Sequence, residues 1–160
     1  MNVRQTIFSS DRVYRYTLFR EWDILNHECA MFIGLNPSTA DETKNDPTVR
    51  RCIGFAKRFG YGAMFMTNLF AYRATRPEDM IRHPAPIGPD NDRWLVECAK
   101  EARVVIAAWG AHGFYLGREA AVCKLIPALK CLCPTGGRSI PPHPLYLPSE
   151  SALIDFKARV

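Results

Sequence analysis

The sequence predicts a three-layer α/β/α domain around a central, mainly parallel sheet of four strands. Three observations predict it. Short apolar runs alternate with helix-patterned segments, each run stops at a polar turn, and 160 residues supply one domain. Residues 1–160 are read as that single domain, with 1–30 as an N-terminal β extension. A chain that is 48% hydrophobic and 23% charged is not mainly disordered. No apolar run approaches the ~18 residues of a membrane span, and the first residues contain no apolar signal segment. The expectation is a cytoplasmic, monomeric protein with no membrane partner.

The elements follow in order. Val13 to Trp22 alternates aromatic and β-branched residues with polar ones, as one or two edge strands do. Ala30 to Leu35 is a buried strand ending at Asn36-Pro37-Ser38. Asp46-Pro47 opens a helix, with Asp at the N-cap and Pro at N1, that runs to Phe59 and stops at Gly60. On it Val49, Cys52, Ile53, Ala56 and Phe59 share an apolar arc, and Arg50, Arg51, Lys57 and Arg58 lie opposite. Ala63 to Thr67 is the next strand, followed by a helical turn at Pro77 to Met80 and a helix from Pro89 to Lys100. Val104 to Trp109 is a strand ended by Gly110, with a helix from Gly113 to Leu125 after it. Lys130 to Cys133 reads as a fourth strand, Pro134 to Pro148 as a Pro/Gly-rich loop, and the C-terminus as a short helix. In this architecture ligands collect at the carboxyl ends of the strands.

Charge and cysteine content narrow the function. The net charge is +5, and the segment from Thr43 to Arg76 holds seven basic residues and one acid, Asp46. Such a concentration suits an anionic partner, DNA or a nucleotide, or else forms a solvated face. The six cysteines read as reduced thiols. Cys131-Leu-Cys133 with His143 lacks paired zinc spacing and a fourth ligand, so neither metal nor cofactor is expected.

Four segments carry a resemblance. Gly34-Leu-Asn-Pro-Ser38, Met66-Thr-Asn-Leu-Phe70 continuing to Thr75, Ala108-Trp-Gly-Ala-His112 and Pro142-His-Pro-Leu-Tyr146 resemble, in this order, the motifs of the uracil-DNA glycosylase superfamily. GLNPS is similar to the Gly-x-Asn-Pro motif of the mismatch-specific thymine/uracil branch, and HPLYLP to the His-Pro motif that closes the site over the minor groove. The likeness covers about Met31 to Pro148. A whole-chain resemblance also links the sequence to an uncharacterised bacterial domain family carrying GLNPSTAD and HPLY. The first resemblance implies a uracil-DNA glycosylase-like fold and a monofunctional DNA N-glycosylase, a hydrolase of DNA repair acting on a uracil-type or modified pyrimidine.

The roles follow from the chemistry. Glycosidic cleavage leaves positive charge on the sugar and negative charge on the base, so donors must face a base oxygen and a water must be placed at the sugar carbon. Asn36 would hold the water and His143 would donate to the pyrimidine O2. Asn68 would read the edge of the base, with Pro37 and Ser38 as the floor. Phe55, Tyr72 or Tyr146 would stack on it. Arg50, Arg51, Lys57, Arg58 and Arg73 would hold the DNA backbone, and Leu145 or Leu147 would wedge the duplex. Asp46 reads as a helix cap, while Asp41 is a candidate general base.

Each role has a plainer counterpart. Asn36 can start a turn, Asn68 can cap one, and His143 can be a buried histidine satisfied by backbone. The sequence also departs from the classical enzymes. They place Asp where Asn36 stands, and an amide cannot act as a base. Leu145 replaces the Ser that follows His-Pro, and Ser38 or Thr39 stands where a Tyr excludes thymine. The alternative is a non-catalytic nucleic-acid or nucleotide-binding module using the same pocket. A third reading is cleavage of a free nucleotide.

Overall fold

The computed structural model describes residues 2–133 and 140–157. Its strands are β1 (Ile7–Phe8), β2 (Arg15–Glu21), β3 (Cys29–Gly34), β4 (Ala63–Asn68), β5 (Val104–Ala107), β6 (Lys130–Cys133) and β7 (Ala152–Asp155). They form one sheet in the order β1-β2-β4-β3-β5-β6-β7. The α/β class is as expected, but the sheet has seven strands rather than four. Strands β4, β3, β5 and β6 run parallel, while β2, β1 and β7 add antiparallel edges.

Helices cover both faces. Helix α1 (Pro47–Arg58) lies on one side, and α2 (Pro77–Arg82), α3 (Asn91–Glu101) and α4 (Arg118–Leu125) on the other. The period-two pleat divides the strands between two cores. Ala30, Phe32, Met64, Met66 and Ile106 meet Val49, Cys52, Phe55 and Ala56 of α1. Met31, Ile33, Phe65 and Ala107 meet Leu95 and Cys98 of α3 and Val122 of α4. Helix α1 starts as its sequence dictates. The Asp46 side chain accepts the Val49 N–H at 2.8 Å, and Pro47 opens the first turn, where no N–H is needed.

Two expected elements are corrected. The helix read from Gly113 is a 3-10 segment over Gly110–Gly117, and α4 begins only at Arg118. The left-handed φ of +53° at Leu116 and +65° at Gly117 breaks the helical path between them. The C-terminal helix is instead strand β7, because β6 leaves an open edge and Ala152 to Asp155 pairs along it antiparallel. Of the loop read as Pro134 to Pro148, residues 134–139 lie outside the described residues.

Register sets up the functional edge. Gly34 pairs with Asn68, and Ile33 with both Thr67 and Ala107, so β3, β4 and β5 end together. Strand β2 runs the other way, which puts its first residue, Arg15, at this same edge. The Arg15 N–H donates to the Ala71 carbonyl just beyond β4.

Phe65 is fully buried at the centre of β4 and meets Phe19 at 5.4 Å. Phe65→Ala should lower the unfolding free energy by about 3–5 kcal/mol. Urea denaturation should show this as a lower midpoint with an unchanged slope. A loss below about 1 kcal/mol would contradict this packing.

Candidate functional site

A cavity of about 540 Å³ opens where the strands end, a size usual for small-molecule sites. The turn after β3 contributes Asn36, Pro37 and Ser38; β4 contributes Asn68; the turn after β5 contributes Trp109 and His112; the C-terminal loop contributes His143 and Tyr146. Arg15 and Asp46 complete the charged lining.

Backbone bonds lock these turns together. Leu69 and Phe70 donate to the carbonyls of Gly34 and Leu35, and Gly110 donates to Pro141. Asn36 and the segment around Ala74 clasp each other. Asn36 Nδ2 donates to the Ala74 carbonyl at 2.8 Å, and the Ala74 N–H donates to the Pro37 carbonyl at 2.9 Å. Asn91 of α3 donates to the carbonyls of Asn68 and Leu69, each at 3.0 Å.

The polar groups have defined orientations. Arg15 is 2% exposed. Its Nη1 donates to the Ala40 carbonyl at 3.1 Å and its Nη2 to Asn68 Oδ1 at 3.3 Å. A guanidinium only donates, so the Asn68 oxygen must face Arg15. Asn68 Nδ2 is thereby left for the cavity, with no protein acceptor among the described residues. Its neighbour there is Gly34, where a Cβ would come within 2.9 Å of Nδ2. Arg15 forms no ion pair among the described residues, and its Nε is sealed without a partner. Burial pulls its pKa down to about 10, Asp46 partly offsetting this, so the cation persists at neutral pH.

His143 Nδ1 accepts the Leu145 N–H at 3.3 Å, which assigns the ring proton to Nε2. Burial holds the His143 pKa below its ordinary value, with Asp46 acting in the opposite direction. The imidazole is thus a neutral donor at physiological pH.

A family model described as "Protein of unknown function (DUF1643)" matches residues 15–145. The chain belongs to the DUF1643 family. No curated protein and no solved structure matches it. The DUF1643 match begins at Arg15 and so takes in the buried cation of the cavity together with Asn36, Asp46, Asn68 and His143.

In this DUF1643 chain the residues singled out from the sequence divide. Asn36, Pro37, Ser38, Asn68 and His143 line the one cavity. Phe55 does not; it packs beneath α1 in the core. Tyr72 stacks on His83 at 3.9 Å, away from the cavity, so of the three candidate stacking rings only Tyr146 borders it. Leu145 is at the rim, and Leu147 is buried. None of the five basic residues lines the cavity. Arg51 and Arg58 donate to the carbonyls of Leu147 and Ser151, and Arg73 donates to the Arg12 carbonyl. Arg50 bonds the Asn45 carbonyl, and Lys57 lies over the Trp22 ring. Asp41 ties its own turn, accepting from the Thr43 and Lys44 N–H groups.

Sequence reasoning missed Arg15. It sits in a segment read as an edge, and alternation there gave no sign that a charge points inward. Among the described residues no group of three or more His, Cys, Asp or Glu side chains gathers as metal ligands, and no helix is long and apolar enough to cross a membrane. The cysteines are free thiols; burial pushes Cys29 and Cys98 up to about 12.

His143 gives a pH signature. Its folded pKa lies below the unfolded one, so the unfolded chain binds the proton more readily. Its contribution is intact above the unfolded value near 6.5. As pH falls through and below that value, the folded state loses stability until the folded pKa is passed. The urea midpoint of wild type should therefore drop between pH 7.5 and pH 5.5 by more than that of His143→Gln. Equal drops would contradict a buried neutral imidazole.

Proposed function

We propose that this protein grips a pyrimidine ring in the cavity and hydrolyses the N-glycosidic bond joining it to a deoxyribose in DNA. The observation that carries the reading is the convergence of Asn36, Asn68 and His143, from three separate segments, on one cavity. The loops at the ends of parallel strands and the four-segment resemblance support it as well.

The groups suit the reaction. As the bond from the anomeric carbon to the ring nitrogen breaks, negative charge moves onto the ring oxygens. Neutral His143 offers Nε2–H to one of them and Asn68 offers Nδ2–H to another, both held before the reaction begins. Asn36 commits Nδ2 to Ala74, and its Oδ1, which has no protein donor among the described residues, can accept from a water. Arg15 stands behind Asn68 as a buried positive charge that favours the anionic leaving base.

The Arg15 contact also sets a preference. A site that presents Nδ2–H selects a ring carbonyl and repels a ring amino group, which offers another donor. Uracil and thymine fit this rule, and cytosine does not.

A specific observation favours a second reading, binding or cleavage of a free nucleotide. Four of the five basic residues expected on DNA donate to protein carbonyls. Salt separates the two, since only the DNA-bound form needs strongly salt-dependent affinity.

The test is release of free base from oligonucleotides carrying uracil, mismatched thymine or modified pyrimidines. Wild type should release uracil and leave cytosine intact. Asn68→Ala should slow release by about 10²–10³, the usual loss for one donor at a developing oxyanion. No release across the panel would refute the hydrolase. Binding of nucleoside monophosphates with little salt dependence would then support the second reading.

A further inference from the structure

Asn36 lines the cavity as an amide, and an amide takes no proton from water. Asp41, the acid nearest that motif whose role the sequence left open, spends its Oδ1 on its own turn and does not line the cavity. One carboxylate does. Asp46 is 8% exposed and borders the cavity with Asn36 and His143.

Its capping role uses half of the carboxylate. Oδ1 accepts the Val49 N–H at 2.8 Å. Oδ2 accepts no protein hydrogen bond among the described residues, yet it is not among the sealed polar atoms without partners. It therefore faces accessible space, and the cavity is the space Asp46 borders. Asp46 makes no ion pair among the described residues. Its charge is nevertheless felt at the site, since it favours the protonated forms of both Arg15 and His143.

The position is also well braced. Arg20 donates to the carbonyls of Asp41, Glu42 and Lys44 and to Asn45 Oδ1, tying down the loop that leads to Asp46. The backbone of α1 follows at once, with Arg50 N–H on the Asp46 carbonyl. A carboxylate held at one oxygen and free at the other can direct a lone pair at a single point.

The geometry points to Asp46 as the general base of the site. This rests on the N-glycosidic reading above. A water positioned by Asn36 Oδ1 attacks the anomeric carbon while the carbon–nitrogen bond breaks. The bonding pair leaves with the base, which takes up one proton from solvent. The water's proton passes to Asp46 and then to solvent, so one water is consumed and the products are the free base and the sugar hydroxyl.

Capping offers a clean test, because Asn and Ser cap a helix about as well as Asp. Asp46→Asn and Asp46→Ser should both melt near wild type. Both should bind a uracil oligonucleotide within about threefold of wild type. Single-turnover release should fall by about 10²–10⁴, the range for general-base catalysis. Release at the wild-type rate in either variant overturns the role. So does loss of binding in step with rate, or loss of the fold in both variants, since the carboxylate would then be structural. Wild type that releases no base from any substrate is a different result, which refutes the N-glycosidic reading and this role with it.

Discussion

The cavity depends on a guanidinium sealed from water. Arg15 gives its hydrogen bonds to the Ala40 carbonyl and to Asn68 Oδ1 and forms no ion pair among the described residues, Asp46 acting on it only through its field. Burying such a charge costs several kcal/mol unless other groups compensate. A purely structural bolt between β2 and β4 could be made from apolar side chains at less cost. What the cation supplies is direction. It forces one orientation on an amide that would otherwise present either end, and it leaves a positive field behind that amide. The same Arg15 joins three segments at one point: the start of β2, the loop at Ala40 and the end of β4.

The rest of the site follows from strand register. In a parallel sheet, strands that begin together end together, and their loops share one edge. Gly34 opposite Asn68 brings the first two polar turns side by side. Ile33 opposite Ala107 brings the third, and the bond from Gly110 to Pro141 draws in the loop bearing His143. None of these residues needs its own device to reach the cavity. Gly34 makes the approach possible, since a side chain there would meet Met66 Cε at 2.8 Å and Asn68 Nδ2 at 2.9 Å.

Much of this was legible from residues alone. Strands β3 and β4 are short apolar runs cut off by Asn, and the N-cap of α1 is written as Asp46-Pro47. The parts that escaped share a cause, which is that tertiary partners decided them. The segment Ala152 to Asp155 has no strong preference of its own and becomes a strand because β6 offers it an edge. Arg51 and Arg58 lie on a face that periodicity reads as solvent, but carbonyls of the 147–151 segment reach across to them. Phe55 lies just off the arc assigned as apolar, yet it is buried in the core between α1 and the sheet, beside Cys52, Ala56 and Met66. Arg15 is the clearest case. Whether an arginine in an alternating strand faces water or an interior site depends on what stands beside that strand, and only the antiparallel pairing of β2 with β4 settles it.

The central claim is that one ring fits between Asn68 and His143 with its oxygens on their donors. A crystal of the protein soaked with uracil tests it most directly. The ring should lie in the cavity with one carbonyl oxygen within hydrogen-bond distance of Asn68 Nδ2 and another near His143 Nε2, while Arg15 stays on Asn68 Oδ1. An empty cavity at saturating uracil, or a ring bound elsewhere on the molecule, would contradict it.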